Sequence, residues 1–240
     1  MNSTNESPRG TNNKNARIAG LIYFLYFITH IISDVSRDGL MVAGDAAATV
    51  SNLLSNKGLF TLTAVGDVVA AALFGLSAWA LYVLLKPVNN NFAVLFLLLN
   101  LAGVAIQCSS DVFLFASSLL MDGSSYLKGF QVDQLQALAM FFLELREKGF
   151  LISQLFYGAW FFPLGYLVFR SGFLPKILGV VLMVHCFTWT STFFQSLLFP
   201  GFVAITYVSW PLGFIAEVGL TFWLLIMGAK DPKPALVEVG

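Results

Sequence analysis

An all-α polytopic membrane helix bundle, with six transmembrane helices and two short amphipathic helices on the outer side, is the fold class this sequence predicts, on three observations. Of 240 residues, 58% are hydrophobic and 11% charged, with a mean hydropathy of +0.79, more apolar than a water-soluble domain can hide. Apolar runs of the roughly 20 residues a helix needs to cross a bilayer core recur along the chain. Between them, two outer connections carry apolar residues at three- and four-residue steps, the period of a helix lying on a surface.

The first 16 residues, MNSTNESPRGTNNKNA, are polar and Asn-rich, and read as a disordered tail. The apolar run after Arg17 has no small-residue cleavage site close behind it, so it reads as an uncleaved first span rather than a signal peptide. The spans expected are about 17–36, 59–86, 92–119, 149–170, 176–198 and 203–228, within a single transmembrane domain covering 17–229. The segment 230–240 reads as a second disordered tail. Pro163 and Pro211 fall inside spans four and six, where they are expected to bend the helix and free backbone carbonyls.

The two long outer connections share a grammar. DAAATVSNLLSNKGLF and DQLQALAMFFLELREKGFL each open on an N-cap candidate, Asp45 or Asp133, and reach a Lys-Gly pair before the next span. Val50, Leu53 and Leu54 in the first, and Leu135, Leu138, Phe142 and Leu145 in the second, form apolar faces. A hairpin unit of span, outer helix and span is thus expected twice, with a reduced third copy in spans five and six.

Thirteen basic and thirteen acidic residues balance, and no basic tract occurs, which excludes nucleic acid as a partner. Cys108 and Cys186 lie in separate apolar spans and form neither a disulfide framework nor a metal-ligand pattern. With both termini cytoplasmic, the inner segments carry Arg9, Lys14, Arg17, Lys86, Arg170, Lys176, Lys230 and Lys233, and the outer ones Arg37, Lys57, Lys128, Arg146 and Lys148. The positive-inside rule favours that orientation.

The segments GDAAATVSNLL, ALYVLLKPVN, DQLQALAMFFLEL and FRSGFLPKILGVVL, in this order, resemble the bacterial domain-of-unknown-function family 4386, small multi-span membrane proteins. The resemblance runs from about Arg17 to Gly228. It implies a multi-pass protein of the bacterial cytoplasmic membrane; it implies no activity, cofactor or catalytic residue.

Function is sought among polar residues at membrane depth, because an ionisable group at the centre of a span costs about 2.5 to 3.5 kcal/mol on insertion scales. Tyr23, Tyr26, His30 and Asp34 share one face of span one. Asn100, Gln107 and Asp111 repeat the pattern on span three, interrupted by Gly103. His185, Thr188, Thr192 and Gln195 stripe span five, and Thr206, Trp210, Gly213, Glu217 and Thr221 stripe span six. Asp67 lies alone in apolar span two, about 12 Å from its outer start by helical rise. A polar cavity opening outward is expected from His30, Asp34, Asp67, Gln107, Asp111, Gln154, Thr192 and Glu217. For Asp67 and Glu217 the alternative is a protonated acid bonded to a neighbouring helix.

No nucleotide loop, zincin helix, nucleophile elbow or CxxC pair occurs, so those chemistries lack their residues. Three functions stay open. One is a small transporter or ligand-binding membrane protein in which Asp67 and Glu217 handle a proton, a cation or a small solute. Another is a membrane enzyme acting on a lipid or apolar substrate, its histidines and carboxylates serving as acid-base groups or metal ligands. The third is a non-catalytic assembly or sensory partner. The reading leans to the first, away from an enzyme, with the lipid bilayer as partner, no cofactor, and the oligomeric state open.

Overall fold

In the computed structural model, residues 8–122 and 124–229 are described, the side chains of 8–11 excepted. No strand occurs among them. The helices are α1 (Pro8–Asp38), α2 (Ala46–Ser55), α3 (Lys57–Leu85), α4 (Asn90–Met121), α5 (Val132–Arg170), α6 (Lys176–Leu198), α7 (Ala204–Gly213) and α8 (Gly219–Phe222), with a 3-10 turn at Ser125–Leu127. Six stretches are long and apolar enough to cross a membrane: Asn12–Asp38, Lys57–Leu85, Asn90–Met121, Val132–Arg170, Lys176–Leu198 and Ala204–Met227. Each overlaps a span expected from hydropathy, because backbone groups in an apolar medium must bond within their own helix, though the fourth starts well before the expected 149.

Two differences concern boundaries. α1 begins at Pro8, inside the segment assigned to a tail, while residues 1–7 and 230–240 lie outside the described residues. The second amphipathic helix does not stand apart from span four: its residues form the first part of the 39-residue α5, in which Asp133 sits in the first turn. The Lys-Gly signal misled there, because Gly149 lies mid-helix and ends nothing. Gln131, just ahead of α5, donates its backbone N–H to the Gln134 side chain at 3.0 Å, one half of a capping box.

The first outer helix forms where expected. Asp45 caps α2, its carboxylate accepting from Ala48 N at 2.8 Å, and the preceding Gly44 takes φ +77, a turn conformation open to glycine. Thr49 ties the connection back, accepting from Val42 N at 2.9 Å and donating to Val42 O at 3.2 Å. Leu53 is fully buried and packs with Leu40, Phe60, Ala64, Leu114 and Leu143. Asp45→Ala is expected to lower stability by about 1 kcal/mol, read from the thermal midpoint of purified protein in detergent.

The chain divides into two compact units. One draws on Met1–Ile22, Ser77–Leu98 and Gly158–Gly240, the other on Tyr23–Leu76 and Leu99–Tyr157. Within the first, α5 and α6 approach at a pair of glycines: a Cβ on Gly165 would stand 2.7 Å from Gly179 O. Span six is α7 followed by a π-helical stretch at Phe214–Val218, the short α8, and a second π-helical stretch at Trp223–Met227. The first π stretch follows Pro211, whose missing N–H removes one rung from the regular ladder.

Within the second unit, small residues bring helices together. A Cβ on Gly66 of α3 would overlap the Ser33 hydroxyl of α1, and a Cβ on Gly149 of α5 would overlap the Ser110 hydroxyl of α4. The residues flanking these contacts form the site described next.

Candidate functional site

Each close approach delivers a charge. Asp67 follows Gly66, Asp111 follows Ser110, Arg37 lies one turn beyond Ser33, and Arg146 lies three residues before Gly149. All four are buried in an apolar bundle: Asp67 and Asp111 are 0% exposed, Arg146 1% and Arg37 3%. Isolated charges would be prohibitive there, so they meet one another.

Arg37 Nη1 bonds Asp67 Oδ2, and Arg37 Nη2 bonds Asp34 one turn back on α1. Arg146 Nη2 reaches the same Asp67 Oδ2 at 3.1 Å, and its Nε reaches Asp111 Oδ1 at 3.2 Å. Nη1 of Arg146 bonds Glu147 at 2.7 Å. Four helical segments, from α1, α3, α4 and α5, thereby contribute to one chain of ion pairs, Asp34–Arg37–Asp67–Arg146–Asp111. It reaches the surface at Asp34 and, through Arg146, at Glu147, whose side chains are 42% and 61% exposed, while Asp111 at its other end is fully buried.

The distribution of partners is uneven. Asp67 and Asp111 sit side by side on the Nε/Nη2 edge of Arg146, and each keeps one oxygen, Oδ1 of Asp67 and Oδ2 of Asp111, buried without a hydrogen-bond partner. The cluster counts four carboxylates to two guanidiniums. Its unused capacity is that of acceptors, which suits a cation.

Aromatic rings continue the site. The Arg146 guanidinium lies over Phe150, 4.8 Å from the ring centroid. His30 stacks on Tyr26 at 5.7 Å and touches Phe150 at 6.3 Å, with Nδ1 buried and unpartnered. Tyr26 stacks on Phe74, and Phe74 meets Tyr157 edge-on. The Tyr157 hydroxyl donates to Gln107 Oε1 at 2.8 Å.

Of the residues expected from the sequence, His30, Asp34, Asp67, Gln107, Asp111 and Gln154 belong to this unit. Asp34, Asp67 and Asp111 join the ionic cluster, Gln107 lies one turn from Asp111, and Gln154 is half-buried one turn beyond Phe150. Thr192 and Glu217 belong to the other unit. There Thr192 donates to Trp189 O at 2.6 Å, and Glu217 is half-buried in the π-helical stretch after Pro211. The same unit holds fully buried His185 between Phe161 and Trp189, with Gly213 so close that a Cβ would meet Cε1 at 2.7 Å.

Sequence reasoning missed Arg37 and Arg146, which it spent as loop charges in the orientation count. A signal existed: Asp34 and Arg37 stand at i,i+3. Asp67 is also better described, since neither a cavity acid nor a protonated interhelical bond included its two arginine partners. Among the described residues no three His, Cys, Asp or Glu side chains are grouped to hold a metal ion.

The family profile described as "Domain of unknown function (DUF4386)" matches residues 18–228. An uncharacterized protein of Archaeoglobus fulgidus is 31% identical over 155 residues, 64% of this chain and 75% of that protein. No solved structure matches the chain. With the match covering most of the first apolar helix, all of the other five and the residues of the ionic cluster, the chain belongs to the DUF4386 family.

Proposed function

We propose that this is a multi-pass protein of a bacterial cytoplasmic membrane that binds a proton or small cation at the Asp67–Arg146–Asp111 cluster and moves it across the membrane, coupled to a second ion or small solute. The observation that carries the reading is the pair of fully buried carboxylates on one guanidinium edge, each with an oxygen to spare. Ionisable groups are kept at membrane depth chiefly where they serve a path for ions or substrates. Adhesion is a weak alternative, since interhelical polar contacts in membranes average only about 0.6 kcal/mol. His30, Asp34 and Glu147 are the titratable neighbours through which a proton would arrive.

Orientation gains support from the same residues. Arg37 and Arg146 are consumed by buried carboxylates and no longer count as loop charges. Only Lys57, Lys128 and Lys148 then remain on the outer side, which strengthens the case for cytoplasmic termini.

The test uses proteoliposomes loaded with a pH-sensitive dye and given a sodium or a potassium gradient. Gradient-driven proton flux is expected with the wild-type protein, falling at least about tenfold in Asp111→Asn, a barrier change of roughly 1.4 kcal/mol. Asp111→Asn keeps shape and leaves Asp67 with both arginines, so gel filtration should show a folded protein. Wild-type vesicles no leakier to protons than empty ones under both gradients would overturn the reading.

A further inference from the structure

The face of α4 below the ionic cluster carries polar residues at helical intervals: Asp111, then Gln107, then Asn100, with Gly103 between the last two. Gln107 is 4% exposed and Asn100 0%. Neither Asn100 Oδ1 nor Asn100 Nδ2 has a hydrogen-bond partner. An amide with donor and acceptor both unused inside an apolar bundle is costly unless water or a solute satisfies it. Asp111 Oδ2 is the matching orphan at the other end of the stripe.

Tyr157 of α5 interrupts this stripe. Its ring lies on Gly103, where a Cβ would collide with Cε1 and Cδ1, and its hydroxyl is held by Gln107 at 2.8 Å. The absence of a side chain at Gly103 is what gives the ring a seat. Phe74 closes the ring from its edge at 4.9 Å.

We infer that the Asp111–Gln107–Asn100 face of α4 is a hydrated polar track leading from the ionic cluster, and that Tyr157, seated on Gly103, is the plug that closes it. The track takes water and small hydrated cations; it rests on the transport reading only for what travels along it. Swinging the Tyr157 ring off Gly103 breaks its hydrogen bond to Gln107 and uncovers the polar face of α4 on either side of the glycine.

The experiment reads access directly. In a background with Cys108 and Cys186 replaced by Ala, Asn100→Cys is treated with MTSET, a cationic, membrane-impermeant thiol reagent, applied to each side of the vesicle in turn. Cys at 100 is expected to react slowly while Tyr157 and Gly103 are intact. Tyr157→Ala should raise the rate about tenfold, the mark of a tenfold shift in open population. Gly103→Ala, which displaces the ring without removing it, should do the same, and it decides the matter should Tyr157→Ala fail to fold. Equal labelling with and without the plug, fast or slow, would overturn the inference. Plug-dependent labelling in a protein without ion-driven flux would overturn the transport reading and leave the track standing; flux without plug-dependent labelling would do the reverse.

Discussion

Arg146→Leu is expected to lower stability by about 3 to 5 kcal/mol, because it leaves Asp67 and Asp111 buried without the cation they share. In a chain of this size that is a fall in thermal midpoint on the order of 10 °C, read in detergent by intrinsic fluorescence. The informative comparison is the fourfold variant Arg37→Leu, Asp67→Leu, Asp111→Leu, Arg146→Leu. Buried ion pairs repay their desolvation poorly, so replacing the whole set by apolar side chains is often neutral or stabilising by about 1 to 4 kcal/mol. The fourfold variant should therefore melt near the wild-type midpoint, far above Arg146→Leu, and show no gradient-driven proton flux. Stability recovered with flux lost assigns the cluster to function; flux retained in the fourfold variant would reduce it to an architectural feature.

Gly149→Ala is expected to destabilise by about 1 to 3 kcal/mol, the usual cost of overpacking. The added Cβ would stand 2.7 Å from Ser110 Cβ, so α5 must move off α4. Alanine in place of glycine within a helix would otherwise gain up to about 1 kcal/mol. Which term wins depends on one neighbour, and the double substitution shows it. In a Ser110→Gly background Gly149→Ala should become neutral or stabilising, a coupling of about 1 to 3 kcal/mol across the cycle. Additive single effects would show that the two helices do not register through this contact. The single variant should also reduce proton flux, since shifting α5 lengthens the 3.2 Å bond from Arg146 Nε to Asp111.

Hydropathy made the spans legible because it reports on solvent and needs no partner: all six long helices contain the apolar runs that predict them, give or take a residue at the ends. Capping was legible for the same reason at Asp45, whose hydrogen bond is local in sequence. α5 was not, because Gly149 looks like a helix terminator until Ser110 is seen occupying the space of its missing side chain. The site was legible by halves. Asp67 stood out as a carboxylate in an apolar helix, whereas Arg37 and Arg146 stood near span ends, where arginines are ordinary. Burial distinguishes them, and burial is a property of the packed bundle. Asn100, Gly103 and Gln107 formed a visible stripe with a gap in it; that the gap is filled by Tyr157, fifty residues beyond Gln107, is tertiary information.

The coupling of every buried charge to a small residue gives the cluster a written form. It reads Ser-x-x-x-Arg at 33–37, Gly-Asp at 66–67, Ser-Asp at 110–111 and Arg-x-x-Gly at 146–149. Four fragments, none informative alone, make a fingerprint when they fall in this order on the first four membrane-length helices. A relative that keeps the charges but carries bulky residues at the small positions would hold its helices too far apart for the guanidiniums to reach. One that loses charges and small residues together would have given up the cluster while keeping the fold, so the fingerprint separates members of the family that keep the buried ion pairs from those that do not.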